Sequence, residues 1–138
     1  MEKRNIWTNP TSELEIHEDE RGKIADVFFK KNIEHVAMIT INKGAVRGNH
    51  YHKQTVQHIL LTKGSLEYWY KLIDSNIDAK MIKVLPGDVI TSSPMEIHTI
   101  RAIEDSEFLT LTEGIRGGKD YESDTFRVSS IIPNSLSK

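Results

Sequence analysis

The chain has 138 residues, 18 Lys and Arg against 20 Asp and Glu for a formal net charge of -2, and no cysteine. That length makes a single domain, 1–138, able to bury its own core. The charge balance excludes the basic footprint of a nucleic-acid or anionic-membrane binder, and the lack of cysteine excludes disulfides, thiolate metal sites and cysteine nucleophiles.

The first residues, MEKRNIWTNPTSELEI, contain no apolar stretch of the kind a signal peptide needs. No later run approaches the roughly 20 apolar residues of a membrane helix. A cytoplasmic protein is the expectation. Residues 1–12, with Asn9-Pro10-Thr11-Ser12, read as a loose segment. Residues 11–17 read as one short helix. Strands are then expected over 24–29, 36–41, 55–62, 65–73, 80–85, 89–91, 97–103 and 108–112. They are short and rich in β-branched and aromatic residues. Turn chemistry separates them at Asn42-Lys43-Gly44, Lys63-Gly64, Asp74-Ser75-Asn76 and Pro86-Gly87-Asp88. The glycine-rich run 113–119 reads as a flexible lid or loop, and 129–138 as a tail. Eight short strands at regular spacing predict an all-β fold closed into a small barrel. Such a barrel has room for side chains or one small ligand.

Six histidines are present: His17, His35, His50, His52, His58 and His98. In a strand, positions i and i+2 face one side, so His50-Tyr51-His52 aims two imidazoles the same way. That suits a divalent transition metal: zinc, iron, nickel, manganese or copper. Gln57 can share that face and His98 can join from a separate strand, completing a set of His50, His52, Gln57 and His98. Two surface histidines give the same local pattern, and only the fold can bring His98 to the pair. His58 should face away from Gln57, and His17 and His35 read as structural or surface residues. Tyr68 and Tyr70 share one face of their strand, where they either line a pocket and bind substrate or fill the core. Trp69 then points the other way, toward a dimer partner.

The spacing from Gly44 through His50-x-His52 and Gln57 to Gly64 resembles the first motif of the cupins, with Gln57 where many carry a metal-binding glutamate. Pro86-Gly87-Asp88 through Pro94 to His98 resembles the second, one residue short before His98. The likeness runs from about Asp19 to Phe126 and implies a jelly-roll barrel. Asp19-Glu20-Arg21-Gly22 and Arg47-Gly48-Asn49-His50 resemble more narrowly the blocks of nucleotide-sugar cupins, among them dTDP-4-dehydrorhamnose 3,5-epimerases and dTDP-4-keto-6-deoxyglucose 3,4-ketoisomerases. The acidic-aromatic stretch 120–126 is similar to the ending of the ketoisomerases. The resemblance implies Arg21 and Arg47 on a diphosphate, His50 and His52 as acid and base beside a ketone, and a homodimer. The chain departs from the ketoisomerases at Ala37, near which they place a tyrosine. Metal-dependent oxygenation of a small molecule and non-enzymatic ligand binding are the alternative functions.

Overall fold

The computed structural model describes residues 1–114 and 123–133. The order is β1 (Glu2–Asn5), β2 (Ile16–Asp19), β3 (Gly22–Ala25), β4 (His35–Ile41), β5 (Val46–Tyr51), β6 (Val56–Lys63), β7 (Leu66–Leu72), β8 (Lys80–Val84), β9 (Asp88–Ser92), β10 (Glu96–Ala102), β11 (Ser106–Glu113) and β12 (Phe126–Arg127). Two five-stranded sheets form, β1-β9-β6-β11-β4 and β12-β5-β10-β7-β8, beside the β2–β3 hairpin. The pairings are antiparallel. The expected all-β architecture is what forms, and among the described residues no helix is long and apolar enough to cross a membrane.

Alternation builds the core. Leu66 and Tyr68 of β7 point inward with Ile100 and Ala102 of β10, their register partners or near neighbours. From the other sheet Ile59, Leu61, Ile90 and Phe108 meet them. Burying aliphatic and aromatic side chains of this size contributes about 1.5–3 kcal/mol each before chain entropy is counted. Trp69, on the outer face, is not left for a partner. It is 5% exposed, and its indole N–H donates to Glu67, which also holds Arg101 at 2.6 Å.

Three expectations about the ends change. Residues 11–17 make no helix: the Thr11 amide donates to the Leu14 carbonyl in a single tight turn, and Ile16 already begins β2. The segment 1–12 is not loose throughout, since β1 pairs with β9 from Glu2↔Thr91 to Asn5↔Asp88. The tail is anchored where it begins, with Ile132 buried. Of the glycine-rich run, residues 115–119 lie outside the described residues.

Candidate functional site

The site is built on a bulge in β5. His50 pairs with His98 of β10, yet the next register step joins Gly48 to Thr99, leaving Asn49 as the extra residue. Both residues of the bulge have left-handed backbone, Gly48 at φ 98° and Asn49 at 57°. Asn tolerates that region. At Gly48 a Cβ would fall 2.7 Å from the His98 carbonyl oxygen, so glycine is required for the close approach of β5 to β10. The extra residue also changes which side chains share a face. Arg47 and His50 are three apart and belong on opposite sides of a regular strand. With the bulge, both line the cavity, Arg47 from its exposed side with its guanidinium donating to the Thr40 carbonyl at 3.2 Å.

His50, His52 and His98 converge. Their donor nitrogens lie within 4.8 Å of one another, and ring centroids are 5.0 Å apart for His50–His52, 4.5 Å for His50–His98 and 5.4 Å for His52–His98. His52 and His98 are 3% and 4% exposed, and His50 is half-buried. Each buried ring has a partner behind it. His52 Nδ1 lies 2.7 Å from the Asp124 carbonyl, and His98 Nδ1 lies 3.0 Å from the Ser92 hydroxyl. A carbonyl only accepts, so His52 carries its proton on Nδ1 and turns Nε2 to the cluster.

Gln57 completes the group. Its Oε1 is 3.3 Å from His52 Nε2. In a neutral ring that nitrogen presents a lone pair, and so does the amide oxygen. Two lone pairs at this separation repel unless a proton, a rotated amide or a shared cation lies between them. Ligands about 2.1 Å from a common tetrahedral ion stand roughly this far apart. Three imidazole nitrogens within 4.8 Å of one another are a donor set of the kind a divalent transition metal takes.

A cavity of about 380 Å³ opens beside the cluster, lined by His50, His98, Gln57 and Tyr68 with Arg47 and Arg127, and by the apolar Ile59, Ile90 and Phe108 of the core. Tyr68 stacks on His98 with ring centroids 6.2 Å apart. Burial pushes its phenol well above the ordinary range, Ser92 opposing and the Glu96 charge adding to the shift, so it is a neutral hydroxyl at physiological pH.

Two residues singled out in the sequence stand elsewhere. Arg21 lies on the β2–β3 hairpin, its side chain 84% exposed and paired with Asp19 at 2.6 Å. That pair raises the Arg21 pKa and lowers the Asp19 pKa. Tyr70 faces a separate depression of about 300 Å³ with Met1, Lys80 and Glu96. His58 faces away from the site as expected, held between Thr91 and Glu113.

Two other cavity residues were given no role by the sequence, Thr125 within the acidic-aromatic stretch and Arg127 just beyond it. Arg127 and Thr125 reach the cavity because β12 pairs with β5, Arg127 opposite His50. Their signal was only the i, i+2 spacing of a segment too short to read as a strand. Asp124 was visible only as part of an acidic stretch. Burial raises its carboxyl, but amide donors from Lys53, Gln54 and Thr55 and the Thr55 side chain outweigh that and hold it below the usual range.

The polysaccharide biosynthesis C-terminal domain family matches residues 17–126. No curated protein matches the chain. Among solved structures, a 3,4-ketoisomerase from Helicobacter canadensis is 18% identical over 93% of this chain and 92% of that one, with a TM-score of 0.71. A 3,4-ketoisomerase from Thermoanaerobacterium thermosaccharolyticum, a double mutant solved in complex with TDP, is 24% identical over 84% of each chain, at 0.67. The dTDP-4-dehydrorhamnose 3,5-epimerase of Sulfolobus tokodaii is 21% identical over 83% of this chain and 73% of that one, at 0.66. The shared fold is the cupin jelly roll.

Proposed function

The chain belongs to the polysaccharide biosynthesis C-terminal domain family, and from that membership and its cavity we propose that it isomerises or epimerises a nucleotide-linked keto-sugar by proton transfer beside the ketone. The observation that carries this reading is one cavity lined by two imidazoles, His50 and His98, with His52 buried beside them, and by two arginines, Arg47 and Arg127. A carbonyl acidifies the C–H next to it, and an imidazole near neutrality can take that proton and return it. His50, on the cavity wall, is the shuttle, with buried His52 beside it in the same cluster. Arg47 and Arg127 take the diphosphate through forked, charge-assisted hydrogen bonds. Tyr68 offers a hydroxyl to the sugar. The TDP in the bacterial ketoisomerase structure supports a nucleotide ligand. The half-exposed Val36 and Met38 of β4 support a second copy as partner.

His50, His52 and His98, with Gln57 as the fourth group, would hold a divalent transition metal. Bound there, it would polarise the ketone oxygen as a Lewis acid. A ring nitrogen that ligates a metal is not a base, so elemental analysis of protein purified without added metal decides between the two uses of His50. About one equivalent, lost in the His50→Ala/His52→Ala double variant, makes it a ligand. A metal-free protein makes it the shuttle.

The activity test is incubation with dTDP- and UDP-linked 4-keto-6-deoxy sugars in deuterated water. Deuterium at a carbon flanking the ketone is expected. No exchange, together with no shift in melting temperature by either nucleotide, would overturn the assignment.

A further inference from the structure

We infer that Asp124 is the positioning residue of the histidine cluster, holding residues 53–55 through its carboxylate and His52 through its main-chain carbonyl. The inference rests on reading that cluster as the working site.

The carboxylate accepts three backbone N–H groups, from Lys53 at 2.9 Å, Gln54 at 2.9 Å and Thr55 at 2.8 Å. The carbonyl takes the His52 ring N–H at 2.7 Å. Residues 52–55 are the whole link between β5 and β6. Any change in how His52 stands relative to Gln57, the first inward residue of β6, must pass through this link. One residue thus holds every amide of the link beyond His52 and also the imidazole at its start. The carbonyl sets the tautomer as well as the position, leaving Nε2 as the nitrogen offered to the cluster.

Asp124 is itself buried, with only Thr125 between it and the strand that pairs with β5. Phe126 pairs with Tyr51 and stacks on its ring at 5.3 Å, and the Lys53 ammonium lies 4.5 Å from the Phe126 centroid. The Val128 amide then donates to the Asn49 carbonyl at 2.8 Å, on the bulge residue. The same short segment supplies Thr125 and Arg127 to the cavity wall. A cap that only ended a strand would need none of the contacts to His52.

The test is Asp124→Asn. It keeps the size of the side chain but turns an N–H toward a backbone N–H. Three readouts are taken: the melting temperature, long-range proton–nitrogen NMR spectra of the imidazoles, and cobalt(II) titration followed by visible absorption. The variant is expected to fold, to shift the His52 ring signals as residues 53–55 move while the Nδ1–H tautomer set by the retained carbonyl persists, and to bind cobalt at least about tenfold more weakly, as when a ligand's supporting partner is removed. A lowered melting temperature with His52 signals and cobalt affinity unchanged would make Asp124 a cap and overturn the inference. Wild-type protein that binds no cobalt counts against the metal, and the NMR arm then decides on Asp124 alone. Should Asp124→Asn fail to fold, the wild-type spectrum decides. The His52 resonance, assigned by its loss in His52→Gln, must show the Nδ1–H tautomer, and an Nε2–H form overturns the inference.

Discussion

Replacing Gly48 with alanine strikes the bulge on which the cavity wall depends. At φ 98° the added Cβ would sit 2.7 Å from the His98 carbonyl oxygen and 3.2 Å from the Thr99 Cα, both main-chain atoms that no rotamer change can move aside. A left-handed backbone costs an L-residue about 1–2 kcal/mol. Overpacking against fixed neighbours adds about 1–3 kcal/mol. The combined loss, about 2–5 kcal/mol, is a large share of the roughly 5–15 kcal/mol that holds a domain folded. Gly44 supplies the control. Its φ is 82°, but a Cβ there meets nothing within 4 Å, so Gly44→Ala should lose only the backbone part, about 1–2 kcal/mol. Urea denaturation of the wild type and both variants measures each loss from midpoint and slope. Gly48→Ala should be the less stable of the two by at least about 1 kcal/mol. Equal losses would refute the argument, because they would mean that β5 and β10 separate without cost at the bulge.

The remaining predictions concern charge. The Asp124 carboxyl is held below its ordinary pKa, so its stabilisation is fully present above the unfolded value of about 3.9 and is lost as pH falls through the lower folded value. The acid limb of a melting-temperature profile should therefore steepen below about pH 4. If Asp124→Asn leaves that limb unchanged, the carboxylate is not its source. Arg127→Ala should weaken TDP binding by about 10- to 100-fold, the size of a lost hydrogen bond to a charged group, and should lower the salt dependence of binding. Isothermal titration at two salt concentrations checks this, and unchanged affinity would remove Arg127 from the diphosphate site.

Much of the barrel was legible in the sequence because its strands alternate and its turns carry glycine, proline and asparagine. The imidazole pair was legible for the same reason, since His50 and His52 need only period two to share a face. Arg47 was harder to place. The resemblance put it on the ligand, whereas parity alone put it on the opposite face from His50, and only the bulge at Asn49 reconciles the two. A bulge depends on two strands meeting, which no single strand records. Asp124 and Arg127 were hidden for a related reason: their partners lie some 70 residues earlier in the chain. Arg21 shows the reverse. Its Asp-x-Arg-Gly block is conspicuous, yet within this chain it makes a tight hairpin closed by the Asp19 pair, away from the cavity.

The pairing order also constrains when the site comes into being. β5 takes its register from β10, and β12 in turn pairs with β5 beside the bulge. Each closure spends loop entropy before its contacts return anything, which places such barrels among the slower-folding topologies, typically milliseconds to seconds. His52 and the Asp124 carbonyl that faces its ring stand 72 residues apart, so this contact is itself one of the long-range closures. The geometry of the cluster is thus completed by two segments that only the tertiary fold brings together.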